Sequence, residues 1–351
     1  MITPAFSVAP SIALVRAAGF GDLPGLVETL AGERRLAELF QAEGLPMALR
    51  DMPATPMPLR TMASLFERSR HLLDDRAFGL EVGTRMTYRG YGLWAEYAAG
   101  GATLGEALRR GARTCRAHAS GARLELVPDG NGLAVHFHTP VLDVDSTAYC
   151  DHMLPPLLSF IRFFLGSDHK PDRLHVAYAR DANAGVIEDR LGIPLLCGQP
   201  GTGLSLRLPD LAARRPPRAP AGRIVTLRDV RADVILADAP DPAHVLSAVV
   251  ALRLLDGQTD IEGAARMVGL GVQGLQRRLR QAGWTYREVI ESALRARAQR
   301  LLIETELSVL EIALSLGYET HASFTRAFTR WMGCPPSDYR RQWSAVTAPR
   351  P

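Results

Sequence analysis

Two stretches near the C-terminus repeat each other, and this repeat narrows the possible folds more than any other feature of the chain. Asp260-Ile-Glu-Gly-Ala-Ala265-Arg-Met-Val-Gly269-Leu270, followed by Leu275-Gln-Arg-Arg-Leu279, matches Ser308-Val-Leu-Glu-Ile-Ala313-Leu-Ser-Leu-Gly317-Tyr318, followed by Phe324-Thr-Arg-Ala-Phe328. The offset is 48 residues up to the turn and 49 beyond it. Each copy reads as a capped helix passing through a small alanine, a glycine stop, and a second helix with apolar residues at i and i+4. The alanine lets two helices cross closely, and the glycine can take the left-handed backbone that ends the first. The pattern predicts two helix-turn-helix units, with Thr259-x-x-Glu262 and Ser308-x-x-Glu311 as their capping boxes.

Between the copies, Tyr286 to Glu304 predicts one helix with an apolar face of Val289, Ile290, Ala293, Leu294, Leu301 and Leu302. Such a rod spans roughly 28 Å, near the roughly 34 Å between successive major grooves on one face of DNA. Two units held on it could enter two adjacent grooves.

Composition sets bounds. A chain of 351 residues has room for about two domains. With 47% hydrophobic and 22% charged residues it is not a disordered chain. Net charge is +4. All basic residues but Lys170 are arginine, a bias uniform enough that arginine number alone does not argue for nucleic acid. Residues 243–345 hold thirteen arginines against three aspartates and seven glutamates, so DNA affinity must come from a focused face and from dimerisation. Cys115, Cys150, Cys197 and Cys334 form no C-x-x-C pair, which fits a reduced compartment and no disulfide framework. No stretch reaches the roughly 18 apolar residues of a membrane span. Met1 to Phe20 has no basic start, and Arg16 interrupts its apolar part, so a cytoplasmic chain is expected.

The first 208 residues predict an α+β domain, helices before a small sheet. Helical spacing recurs from Leu23 to Leu30 and from Leu59 to Leu73, and Thr103-x-x-Glu106 caps a further helix. The period then becomes two in 123–127 and 133–138, around the turn Asp129-Gly130-Asn131-Gly132, a hairpin signal. Helices near 146–165 and 182–191 and strands near 173–178 and 203–208 follow, with Pro155 and Pro156 expected to end or kink the first helix. Residues 209–241 read as a linker carrying Pro209, Pro216, Pro217, Pro220 and Pro240 with several arginines. No packed structure is expected over 209–222, and a short element is allowed within 224–236. A basic arm on phosphates is the alternative reading of this segment. An all-α DNA-binding domain over 242–345 completes the expected architecture.

The segment Thr259–Arg340, ending Leu316-Gly-Tyr-Glu-Thr-His-Ala-Ser-Phe-Thr-Arg-Ala-Phe-Thr-Arg-Trp-Met-Gly-Cys-Pro-Pro-Ser-Asp-Tyr-Arg340, resembles the DNA-binding domain of AraC/XylS-type transcription regulators. More loosely, Gly44-Leu-Pro46, Ala77-Phe-Gly-Leu-Glu-Val-Gly83 and Thr103-Leu-Gly-Glu-Ala-Leu108 resemble the arabinose-binding-like domain of one branch of that family. The resemblance implies a regulator that binds double-stranded DNA, dimerises, and answers to a small-molecule effector, which need not be arabinose. RNA polymerase is a further candidate partner, and no cofactor is implied. It also implies base contacts from Gln273, Gln276 and Arg277, with Arg280 on the same free face. In the second unit the matching positions are His321, Ala322, Thr325 and Arg326, with Arg330 on phosphate. Glutamine suits adenine N6/N7 and arginine suits guanine O6/N7. Gly271 and Gly274 depart from the family pattern and weaken the start of the first recognition helix. Trp331, Pro335, Pro336 and Tyr339 match a closing segment in which Trp331 is read as core.

Other candidates are weaker. His136 and His138, with Asp143, Asp145, Asp151 and His152, could suggest a metal site, but solvated histidines on the polar side of a sheet are the favoured reading. Gly198-x-x-Gly201-x-Gly203 precedes a strand and reads as a turn, not a phosphate loop. Neither Cys150 nor Cys197 sits at a nucleophile elbow, which disfavours a fused enzyme. A ligand-free dimerisation module remains an alternative for the N-terminal domain. Arg89, Tyr91, Trp94 and Tyr97 could line a pocket or pack in a core, and no effector residue is assigned.

Overall fold

A computed structural model describes residues 13–139, 144–217, 224–232 and 243–347. The chain divides into two compact units, Met1–Asp238 and Ala239–Pro351.

The first unit is α+β. Helices α1 (Leu23–Ala31), α2 (Glu33–Ala42), α3 (Leu59–Leu72), α4 (Phe78–Thr84), α5 (Gly92–Ala99) and α6 (Leu104–His118) precede the main sheet. A short antiparallel pair, β1 (Leu14–Arg16) with β2 (Pro56–Pro58), lies among them. The sheet has the order β3-β4-β7-β5-β6, from β3 (Arg123–Asp129), β4 (Gly132–His138), β5 (Leu174–His175), β6 (Leu195–Leu196) and β7 (Thr202–Arg207). Helices α7 (Thr147–Leu165) and α8 (Gly185–Leu191) cross between strands. The expected hairpin forms on Gly130-Asn131, with Asp129 opposite Gly132 and Gly130 at φ +57°. Val135, Leu204, Leu206 and Leu174 are buried and join α5, α6 and α7 in one core.

Pro155 and Pro156 neither end nor interrupt α7, which runs on to Leu165. An internal proline costs about 3 kcal/mol or more in lost bonding and clash. Here α7 is sheathed by packing that can offset that cost. Helix α4 lies so close that a Cβ on Gly79 would come within 2.0 Å of Ala148 O, and one on Gly83 within 2.4 Å of His152 O. Only glycine permits that approach, which explains Phe78-Gly-Leu-Glu-Val-Gly83.

The expected linker starts too early. A 3₁₀ turn over Leu208–Ala212 continues β7, Leu104 N–H donates to Ala213 O at 2.9 Å, and Arg215 N–H donates to Ala102 O at 3.0 Å. Backbone bonding to the start of α6 therefore holds the chain through Arg215, despite its prolines. Further on, α9 (Leu227–Ala232) forms, with Thr226 and Asp229 exchanging capping bonds. Its Val230 is buried, and with Leu227 it lines a groove bounded by Tyr97, Arg110 and Arg113. Residues 218–223 and 233–241 of the expected linker, and residue 242 of the expected second domain, lie outside the described residues.

The second unit is all helix: α10 (Ala243–Arg253), α11 (Ile261–Met267), α12 (Val272–Gln281), α13 (Tyr286–Glu304), α14 (Val309–Ser315), α15 (His321–Met332) and α16 (Pro336–Thr347). Among the described residues no helix is long and apolar enough to cross a membrane.

Candidate functional site

The two helix-turn-helix units, α11–α12 and α14–α15, share one hydrogen-bond pattern. Leu270 N–H donates to Ala265 O at 2.9 Å, and Tyr318 N–H to Ala313 O at 3.0 Å. Gly269 N–H donates to Arg266 O and Gly317 N–H to Leu314 O, each at 3.0 Å, with φ of +67° and +81°. These are the left-handed stops the repeat demands. Ala265 and Ala313 are buried at the crossings, while Leu275/Leu279 and Phe324/Phe328 seat the second helices.

The starts of the helices differ. Ser308 and Glu311 form the expected capping box of α14. At α11 the cap is Asp260, whose carboxylate accepts from Gly263 N–H at 2.7 Å, so Thr259 does not cap it. Asp260 wins because Arg253, buried at the end of α10, donates to both its carbonyl and its carboxylate and holds it in place. That guanidinium also keeps the Asp260 carboxyl below the usual carboxylate range. Helix α12 starts on Gly271 with no side-chain cap, whereas α15 starts on Thr320, which accepts from Ser323 N–H at 3.1 Å.

Gln273, Gln276, Arg277 and Arg280 are exposed on α12, away from buried Leu275 and Leu279. On α15, His321, Ala322, Arg326 and Arg330 are exposed. Thr325 is not presented in the same way: its Oγ1 is buried and lacks a hydrogen-bond partner among the described residues. Arg330 reaches back to Glu291 on α13 at 3.3 Å, and Arg287 approaches the same carboxylate oxygen at 3.5 Å. Rod α13 starts on the capping box Thr285/Glu288 and buries Val289, Ala293, Ala298 and Leu302.

The first unit contains a cavity of about 80 Å³ between α5, α6, α7 and the sheet. An ordered water needs about 10–15 Å³ of such space, so several waters fit inside, and the cavity is partly open, so a larger group could extend through its mouth. No Asp, Glu, Lys or Arg lines it. Trp94 Nε1–H donates to Gly111 O at 3.1 Å, which fixes the indole, and His118 stacks on it at 4.5 Å and 11°. Burial lowers the His118 pKa to about 4, so the ring is neutral at neutral pH. Burial likewise pushes the Tyr91 and Tyr149 phenols up, so both stay protonated.

A helix-turn-helix domain model matches residues 264–342. A model described as the arabinose-binding domain of AraC transcription regulators, N-terminal, matches residues 34–214, more than half of the chain. The chain belongs to the AraC family of transcription regulators. It is 27% identical over 305 residues to the ornithine utilization regulator of Pseudomonas aeruginosa, covering 86% of this chain and 89% of that one. It is 36% identical over 104 residues to the transcriptional regulator VirS of Mycobacterium tuberculosis, covering 29% and 31%. Among solved structures, CdpR of Pseudomonas aeruginosa aligns over 88% of this chain and 97% of its own, at 21% identity and a TM-score of 0.40.

Several sequence expectations for this AraC-type chain need correction. His136 and His138 are buried, not solvated. His136 bonds His175, which bonds Ser205, and His138 Nε2 lies 3.0 Å from Glu125. Asp151 is fully buried between Arg76 and Tyr178, and Asp143 lies outside the described residues. Among the described residues, no group of three or more His, Cys, Asp or Glu is placed to hold a metal ion. The Gly198–Gly203 run serves the sheet: Gly203 sits in β7, paired with both His136 and His175. Trp331 is half-buried at the edge of the second core and not inside it. Of the aromatic stretch, Tyr91 and Trp94 face the cavity, while Tyr97 faces the groove of α9 with Arg110 over its ring at 5.4 Å. Alternation within α5, whose neighbours Ala95 and Ala98 are small, was the available signal for that division.

Proposed function

We propose that this AraC-type regulator reads two adjacent major grooves of double-stranded DNA through α12 and α15 and that a small molecule bound in its first unit controls it. The observation that carries the DNA reading is the matched pair of turns, each presenting an exposed polar row opposite a buried apolar pair. Gln273, Gln276, Arg277 and Arg280 would read or flank bases at the first half-site, and His321 and Arg326 at the second, with Arg330 on phosphate. Thr325 would contribute a base contact only after its hydroxyl rotates out. Rod α13, at roughly 28 Å, sets the spacing of the two readers. Homodimerisation would supply affinity that the modest charge of the second unit does not, and RNA polymerase is the partner such a regulator would recruit or block.

The test is selection of bound sequences from a randomised duplex library by the full-length protein. Two conserved blocks about one helical turn apart are expected. Enrichment of no sequence, with binding that tracks salt alone, would overturn the reading.

A further inference from the structure

The cavity bounded by α5, α6, α7 and the sheet differs from what a sugar or amino-acid sensor requires. A zwitterion would leave its ammonium and carboxylate in a site with no charged side chain, and burying an unpaired charge is prohibitive. A sugar would bring several hydroxyls to walls that are mostly ring and methyl surface. The polar atoms at hand are few: the phenols of Tyr88, Tyr91 and Tyr149, the Thr202 hydroxyl and the neutral His118 ring. Tyr149 is only 7% exposed, and its hydroxyl has no hydrogen-bond partner among the described residues. The hydroxyl is not fully enclosed, so it meets open space, and as part of the cavity lining Tyr149 can offer it to a ligand atom there. The parallel His118–Trp94 stack, held by Gly111 O, adds a flat and rigid wall.

We propose that this cavity binds a neutral, planar, single-ring aromatic molecule carrying one hydroxyl or carbonyl group, with the ring against the His118–Trp94 wall and the polar group bonded to the Tyr149 hydroxyl. The proposal rests on the effector reading above and gives that effector a chemical class. The enclosed space of about 80 Å³ is small and partly open, which favours a single ring seated against the wall with its edge at the mouth. Aromatic edges and faces supply most of the affinity, and the single polar contact sets orientation.

The experiment uses the full-length protein and five probes: p-cresol, toluene, 1-hexanol, L-arabinose and L-ornithine. Thermal unfolding and tryptophan fluorescence are the readouts. p-Cresol should bind saturably with Kd of about 1 mM or tighter, and toluene about fivefold more weakly for want of the hydrogen bond. Tyr149→Phe should erase most of that fivefold difference while leaving toluene affinity unchanged. Ala98→Leu, which fills the cavity, should abolish both. Should Ala98→Leu fail to fold, the Tyr149→Phe comparison still decides. Absence of p-cresol binding, or p-cresol affinity indifferent to Tyr149→Phe, overturns the proposal. Saturation by L-ornithine, L-arabinose or 1-hexanol in preference to p-cresol overturns the ligand class but leaves effector control standing. Operator affinity is measured with and without p-cresol: a bound ligand that changes nothing there removes effector control and leaves the ligand class intact.

Discussion

Nε2 of His136 and Nδ1 of His175 lie 2.6 Å apart across Gly203, the residue of β7 paired with both. The direction of this chain of bonds follows from its far end. Ser205 Oγ–H donates to Asp129 Oδ2 at 2.6 Å, so its oxygen is left to accept from His175 Nε2 at 3.0 Å. His175 Nδ1 is then the acceptor, and His136 Nε2 must donate. Burial lowers the pKa of both rings, which fits the neutral forms this direction requires. Gly203 is required because a Cβ there would fall 1.7 Å from Val135 O.

That arrangement makes the first unit acid-sensitive. Burial, then the neighbouring His136 ring, lowers the pKa of His175 to about 4, and burial lowers His152 to about 4. A histidine with a lowered folded pKa contributes stability that is complete above the unfolded value near 6.5 and is lost as pH falls below it. Asp151 acts in the opposite sense, its carboxyl pushed up to about 6 by burial although Arg76 opposes the shift. His118, also lowered to about 4 by burial, adds to the other two rings; the three histidines outweigh Asp151, and the first unit should lose roughly 2–3 kcal/mol between pH 7.5 and pH 5.5. Calorimetry at the two pH values checks this; a melting transition for that unit that is level or higher at pH 5.5 contradicts it.

Two glycines of the second unit should respond to alanine with opposite signs. Gly274 lies inside α12 with open space around the position of a Cβ, so Gly274→Ala should stabilise the unit by about 0.5–1 kcal/mol. At Gly263 a Cβ would come within 2.1 Å of Arg253 Nη2. Gly263→Ala must push that buried guanidinium off Asp260 and undo the cap of α11, a loss of about 2 kcal/mol or more. Urea unfolding of both variants distinguishes the signs, and a neutral Gly263→Ala would show that the Arg253 contact is dispensable.

Arg277→Ala and Arg326→Ala should each weaken specific DNA binding by about 1–3 kcal/mol and relax preference at one base position. The two relaxed positions should lie about one helical turn apart. Titration against a randomised operator library gives the answer. A uniform loss for Arg277→Ala, with sequence preference intact, would mean that α12 does not read bases through that residue.

Arg330 makes a different prediction because Glu291 competes for it. Arg330→Ala should weaken binding to all sequences alike and reduce the salt slope by about one charge. Glu291→Gln should do the reverse, freeing Arg287 and Arg330 and tightening non-specific binding. Salt titrations on a non-specific duplex measure both, and an unchanged slope in Arg330→Ala would place that arginine away from phosphate.

The second unit was legible because its information is local. Alanine crossings, glycine stops and apolar i, i+4 pairs recur in register, and the structure realises each of them. What was missed there is a long-range contact: Asp260 caps α11 because Arg253, seven residues earlier, reaches it. In the first unit, helical periodicity and the hairpin turn placed the elements, but tertiary packing overrode local rules at three points. Helix α7 keeps its prolines under the glycine face of α4. Residues 209–215 pack through backbone bonds that composition does not encode. His136 and His138 alternate with apolar neighbours, as a solvated face would, yet the face they occupy is buried. No periodicity marks the cavity, which arises where small residues on α5 and α6 leave aromatic rings unfilled.

Helices α5 and α6 form a partition with two sides. On the inner side Trp94, Ala98 and Gly111 face the cavity; on the outer side Tyr97, Arg110 and Arg113 face Leu227 and Val230 of α9. The residues behind the cavity wall can therefore change without any change in the residues that line it. Under the effector control proposed above, substitutions at Leu227 or Val230 would alter how firmly the partition is braced, and selection on the exit segment of the first unit would become selection on the dose that triggers a response.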